Sequence, residues 1–183
     1  NLALTGWRST QRAWHQDDYL NPPTVNCRYL AVWIALDDIP ADCGPFEFVQ
    51  GSHHWPLLRR DRILDNLPDA LRSRPSWPVT SEYFVEAACR DEIIRREAST
   101  TPFLAKKGDV LIWHAALMHR GGAPARPGAV RKSLITHYTA ADRGAGAGWP
   151  MPVQHGDGGW YFPLEGHPLD DLAAEDRSEG PMP

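Results

Sequence analysis

Prolines (17) and glycines (15) are scattered through 183 residues, which leaves little room for long uninterrupted helices. Between them the apolar residues fall in short runs rich in β-branched and aromatic side chains, the texture of strands. "CRYLAVWIALDDI", Cys27 to Ile39, reads as a buried strand, and Phe46–Val49 as a short alternating one bounded by a turn at Gly51–Ser52. "KKGDVLIWHAALMHRGG" enters a strand through a Gly-Asp turn at Gly108 and carries it to His119. A further strand, "RKSLITHYTA", follows the turn-rich "GGAPARPGAV". The texture changes once, over residues 57–99, where two mixed-charge stretches read as helices interrupted by "RPSWP". Short strands, turns and one helical insertion describe a mainly β chain, a sandwich or jelly roll, in a single domain. Residues 142–183 read as an irregular tail. Periodic sequence begins almost at Asn1, which suggests a domain lacking an N-terminal portion.

Composition narrows the function classes. Hydrophobic residues make up 42% and charged residues 23%, ordinary for a globular domain. A net charge of −4 and the lack of a basic run with interleaved aromatics argue against a nucleic-acid partner. No apolar run reaches the length of a membrane span, and no signal peptide opens the chain. Cys27, Cys43 and Cys89 are odd in number and lack metal-type spacing, so reduced thiols in a cytoplasmic protein are the simplest reading.

The chemistry concentrates in "AWHQDDYL", Ala13 to Leu20. On a strand, residues two apart share a face, so His15 and Asp17 project together while Gln16 and Asp18 point away. An imidazole beside a carboxylate makes two adjacent ligands for a divalent metal. One more histidine completes a facial triad with an open side, an arrangement suited to ferrous iron. Alone, His-x-Asp is weak and more often a surface turn. The rest of the chain supplies the missing parts. His119 closes the strand "WHAALMH", and Arg131 follows twelve positions later. The planar guanidinium fork of Arg131 fits the distal carboxylate of a 2-oxo diacid. Ser133, on the same strand face, adds a third hydrogen bond.

The order His-x-Asp, "AVWIALDDI", "CGPFEFVQGSHHW", "KKGDVLIWHAALMHRGG", "RKSLITHY" resembles the phytanoyl-CoA dioxygenase family over about Trp14 to Thr139. That resemblance implies a double-stranded β-helix (jelly roll, cupin-like) and an Fe(II)- and 2-oxoglutarate-dependent oxygenase. It implies hydroxylation of a small-molecule substrate with O2, release of succinate and CO2, and ascorbate as reductant. His15, Asp17 and His119 become the iron ligands, Arg131 and Ser133 the 2-oxoglutarate anchors, and Trp33 a wall against that co-substrate. Gln16 occupies the family's position between the first two ligands and is assigned to substrate, as is Trp14. The chain departs from the pattern at Gly121, where a small hydroxyl residue is common.

Each assignment has a plainer rival. Trp33 also fits the core, His137 fits packing within its strand, and Asp18, Asp37 and Asp38 fit solvated turns. The adjacent His53 and His54 face opposite ways on a strand and read as turn residues. Among eight tryptophans, Trp14, Trp55 and Trp149 are candidates for a substrate pocket. His114 competes with His119 for the third ligand; His119 is favoured by its place beside a loop and its separation from Arg131. The insertion at 57–99 is expected to form a lid. Rival functions are a zinc-type metal-dependent hydrolase with the same ligands and a non-catalytic jelly-roll binding module.

Overall fold

The computed structural model describes residues 3–6, 11–20, 28–74, 76–140 and 152–161. Among these described residues, nine strands and three α-helices run in the order β1 (Ala3–Gly6), β2 (Tyr29–Ala35), β3 (Phe46–Phe48), α1 (Arg60–Asp65), α2 (Asp69–Arg72), α3 (Trp77–Arg95), β4 (Thr101–Phe103), β5 (Val110–His114), β6 (His119–Gly121), β7 (Ser133–Thr139), β8 (Val153–Gln154) and β9 (Trp160–Tyr161). One antiparallel sheet has the order β1-β7-β2-β5, and a second has β4-β3-β6. Together they give the jelly-roll pattern that the strand texture suggests. No described helix is long and apolar enough to cross a membrane. The short β8–β9 hairpin is the described part of the segment expected to be irregular; the rest of that tail, with Trp149 and, earlier, Cys27, lies outside the described residues.

β2 follows its sequence pattern with one correction. Ala31, Trp33 and Ala35 are buried, but Leu30 just before them is 39% exposed and Val32 and Ile34 between them are only partly buried, so the strand is buried on one face and not on both. Val110, Ile112 and Tyr138 are exposed on the same outer face. The inner face packs against the small sheet in a core of Ala31, Trp33, Ala35, Phe46 and Trp113.

A second correction concerns "WHAALMH". The sequence reads as one strand; the structure divides it at a turn over Ala115 and Ala116, placing β5 in the large sheet and β6 in the small one. His119 therefore opens a strand and does not close one. No glycine or proline marks that turn, so the local sequence hides it.

The helical insertion builds a second core. α3 starts inside the segment expected to be a break, because Pro78 falls in its first turn, where a missing N–H costs nothing. Trp77, Ser81, Val85 and Cys89 form a stripe at spacing four, and Trp77, Val85 and Cys89 pack with Ile63 and Leu67 against Trp14, Tyr19, Val49 and Met118. The exposed side carries the ion pairs Glu86–Arg90 and Glu92–Arg95, as the charge pattern foretells.

The two cores meet along β3 and β6. Across that pair Arg120 donates twice to the Glu47 carboxylate, at 2.9 and 2.7 Å, and its guanidinium lies 4.8 Å from the Trp14 ring centre. Nearby, Gly44 has φ +67°, and a Cβ there would stand 2.4 Å from the Gly122 oxygen, so only glycine fits. Removing the Glu47 carboxylate strands a largely buried arginine. Glu47→Ala is expected to lower stability by about 1.5–3 kcal/mol, the range for hydrogen bonds to charged groups, measured by urea denaturation.

Candidate metal centre

Three backbone contacts lay the His15–Asp18 segment against the β5–β6 turn. His15 and His119 exchange N–H···O bonds of 3.0 Å in both directions, and the Asp18 N–H donates to the Ala115 oxygen at 3.1 Å. Gln16 reinforces them: its amide donates to the Ala116 oxygen at 2.9 Å and accepts the Leu58 N–H at 2.9 Å. Ser52 in the Gly-Ser-His turn fixes the other side, its hydroxyl accepting the Met118 N–H at 2.8 Å. Side chains alternate about this seam. Trp14 and Met118 enter the helical core, while His15 and His119, one residue on, turn the other way.

The result is a cluster of His15, Asp17 and His119 whose ligand atoms lie within 4.8 Å of one another. Nε2 of His15 is 3.3 Å from Asp17 Oδ1, and Nε2 of His119 is 3.7 Å from the same oxygen. The hydrogen bonds settle the tautomers. Nδ1 of His15 lies 2.7 Å from the Ala13 oxygen, and Nδ1 of His119 lies 3.0 Å from the Leu117 oxygen. A carbonyl only accepts, so each Nδ1 carries a proton, and in the neutral ring Nε2 presents a lone pair. Two lone pairs and a carboxylate oxygen thus converge at one point. The other carboxylate oxygen, Oδ2, accepts the Trp113 indole N–H at 3.1 Å. Phe46 stacks on His119 with 5.0 Å between ring centres, and Trp113 lies 5.3 Å from it.

Electrostatics reinforces this. Burial opposes charge on Asp17, yet the fields of His119 and His15 and the bonds from His15 and Trp113 outweigh it and hold the carboxyl well below its usual range. Burial is also the largest influence on His119 and brings it down to about 4, against the pull of Asp17. His15 is likewise opposed by burial, but its bond to and attraction by Asp17 raise it. An ionised carboxylate beside an imidazole held neutral at His119 is a donor set that fits a divalent ion.

Other residues singled out in the sequence occupy distinct places. His114 is exposed, and its Nδ1 accepts the Ala116 N–H at 3.1 Å, which puts the ring proton on Nε2. It stands outside the cluster. Ser133 is 4% exposed and projects from the inner face of the large sheet with Ala35, its direct partner. Arg131 precedes it and donates to the Gly44 oxygen, two residues from Phe46. Trp33 is core, edge-on to Phe103 at 5.8 Å. Both ends of Gln16 are spent on backbone, and Trp14 packs among the helices. Trp55 is half-buried under Arg96. Asp37 and Asp38 sit at the surface, paired with Lys132 and Lys106. His53 and His54 are exposed side by side in a 3-10 turn. Trp113, Phe46 and Ser52 are missed by the sequence reading, since nothing local distinguishes them from core and turn residues.

Comparison with known proteins agrees with the geometry. The phytanoyl-CoA dioxygenase (PhyH) family matches residues 6–132. The chain belongs to this family. EctD from S. alaskensis with 2-oxoglutarate and 5-hydroxyectoine is similar in structure at TM-score 0.52 and 19% identity, covering 77% of this chain and 42% of that one. EctD with bound Fe gives 0.51 at 17% identity, over 77% and 46%. The epimerase SnoN from nogalamycin biosynthesis, in complex with Fe3+, alpha ketoglutarate and nogalamycin RO, gives 0.49 at 23% identity, over 76% and 48%. The chain spans less than half the length of these structures. No curated protein matches it.

Trp113 sets which oxygen of Asp17 faces the two imidazoles. Trp113→Phe keeps a ring in the core and removes the N–H. Fe(II) affinity is expected to fall about 10–100-fold, the usual effect of losing a partner behind a ligand, as read by anaerobic metal titration.

Proposed function

We propose that this chain is the catalytic domain of an Fe(II)- and 2-oxoglutarate-dependent oxygenase that hydroxylates a small organic molecule and releases succinate and CO2. The observation that carries the reading is the convergence of two Nε2 lone pairs and the Asp17 Oδ1 at one point. Family membership supports it.

In this reading His15, Asp17 and His119 hold the metal from one side. The Nδ1–H bonds to Ala13 and Leu117 fix both rings, and the Trp113 bond makes Oδ1 the binding oxygen. Arg131 and Ser133 hold the distal carboxylate of 2-oxoglutarate, the arginine through its fork. Fe(II) with 2-oxoglutarate, when bound, supplies activation of O2 and abstraction of a substrate hydrogen. The surrounding rings of Phe46 and Trp113 exclude water and strengthen the fields acting there. The helices of residues 57–99, packed against Trp14 and Met118 on the ligand-bearing segments, would cover the substrate.

Succinate release measured with Fe(II), ascorbate and 2-oxoglutarate tests the assignment. Wild type is expected to release succinate, and Asp17→Ala to lose both bound iron and release. Arg131→Lys keeps the charge but loses the fork. Its iron content should stay unchanged while the KM for 2-oxoglutarate rises roughly 10- to 100-fold, from the range for charge-assisted hydrogen bonds. Full release by Asp17→Ala, or an unaltered KM in Arg131→Lys, contradicts the respective role. Tight zinc binding with no succinate would favour a hydrolase.

A further inference from the structure

The inner face of the large sheet extends beyond the residues given a role so far. Direct cross-strand partners project to the same side, so β7 presents Ser133, Ile135 and His137 there, opposite Ala35, Trp33 and Ala31. Ala31 also faces Trp113 on β5. The row is therefore His137, Ala31, Trp113: a ring, a methyl and a ring. Trp113 touches both Asp17 and His119, and His137 is near enough that its field acts on His119. Tyr29, diagonal to His137 on the same face, stacks on it with 5.2 Å between ring centres and 21° between planes. This end of β2 is tied to the ligand-bearing segment, since the Ala115 N–H donates to the Tyr29 oxygen and the Asp18 N–H to the Ala115 oxygen.

Distance along the strand divides the face into two parts. Arg131 and His137 are six residues apart, about 20 Å at the rise of an extended chain. A five-carbon diacid held by Arg131 ends at the metal that its other carboxylate chelates. His137 lies further along the strand, in the row of Trp113, whose indole reaches Asp17.

We infer that His137, held by Tyr29, positions the primary substrate on the side of the metal centre away from Arg131. Its imidazole hydrogen-bonds a polar group of the substrate, a carboxylate, carbonyl or hydroxyl close to the carbon that reacts. The inference rests on the Fe(II)/2-oxoglutarate reading and assigns the part of the site which that reading leaves open.

The test uses anaerobic protein loaded with Co(II) and 2-oxoglutarate and needs no turnover. Butyrate, acetone and propanol serve as probes, and paramagnetic broadening of their NMR signals reports binding beside the metal. At least one should be broadened by wild type, and its apparent affinity should fall about three- to tenfold in His137→Ala, the worth of one hydrogen bond. His137→Gln, which keeps a donor and an acceptor, should recover most of it. Both variants should bind Co(II) and 2-oxoglutarate as wild type does, which shows that they fold and separates this role from co-substrate anchoring. The inference is overturned if no probe is broadened, if His137→Ala broadens it equally, or if His137→Ala weakens 2-oxoglutarate instead. Failure of wild type to bind Co(II) or 2-oxoglutarate would overturn the reading of the site itself, and this inference with it.

Discussion

Two imidazoles and a carboxylate, buried and aimed at one another, form a cluster that a cation between them would satisfy. The His15 and His119 rings each donate their Nδ1–H to a backbone oxygen two residues back, and so turn their Nε2 atoms toward the Asp17 carboxylate. Lone pairs facing an anion in a water-poor site repel, and the repulsion grows as the local dielectric falls. A proton on His15 relieves part of it; a divalent ion relieves all of it by accepting from all three. Phe46, Trp113 and the backbone pairing of His15 with His119 then serve to hold this convergence in place.

That geometry depends on the seam between two cores. Trp14 and Met118 anchor one side among the helices, and Phe46 and Trp113 form the other between the sheets. His15 and His119 occupy the line where these packings meet. A slip of one residue on either segment would exchange core and ligand side chains, so the hydrophobic pattern fixes the site's register as firmly as hydrogen bonding does. Gln16 and Ser52, which bind backbone on both sides of the seam, add local insurance against such a slip.

Much of this can be read in the sequence because the chemistry is short-range. His15 and Asp17 stand out by type and spacing, and β2 and β7 as short runs rich in β-branched and aromatic residues. Other features are decided by distant partners. The turn at Ala115–Ala116 lacks any breaker residue, so β5 and β6 look like one strand, and His119 reads as that strand's end although it opens the next. α3 carries Val79, Tyr83 and Ile94 on its exposed side, so its four-residue stripe of Trp77, Ser81, Val85 and Cys89 does not stand out. Gln16 looks like a substrate contact until the Ala116 and Leu58 backbones are seen to occupy it. Trp113 looks like core, and it is core, but its indole N–H also reaches Asp17.

In the proposed function, His15, Asp17 and His119 hold Fe(II) with adjacent open positions that a 2-oxo acid chelates. Anaerobic titration of the iron-loaded protein with 2-oxoglutarate reads this directly, through the visible charge-transfer absorption that arises only when the acid binds iron through both its carboxylate and keto oxygens. The band is expected to grow to saturation at one equivalent of 2-oxoglutarate per iron. Protein that binds iron at this site and never develops the band would contradict it.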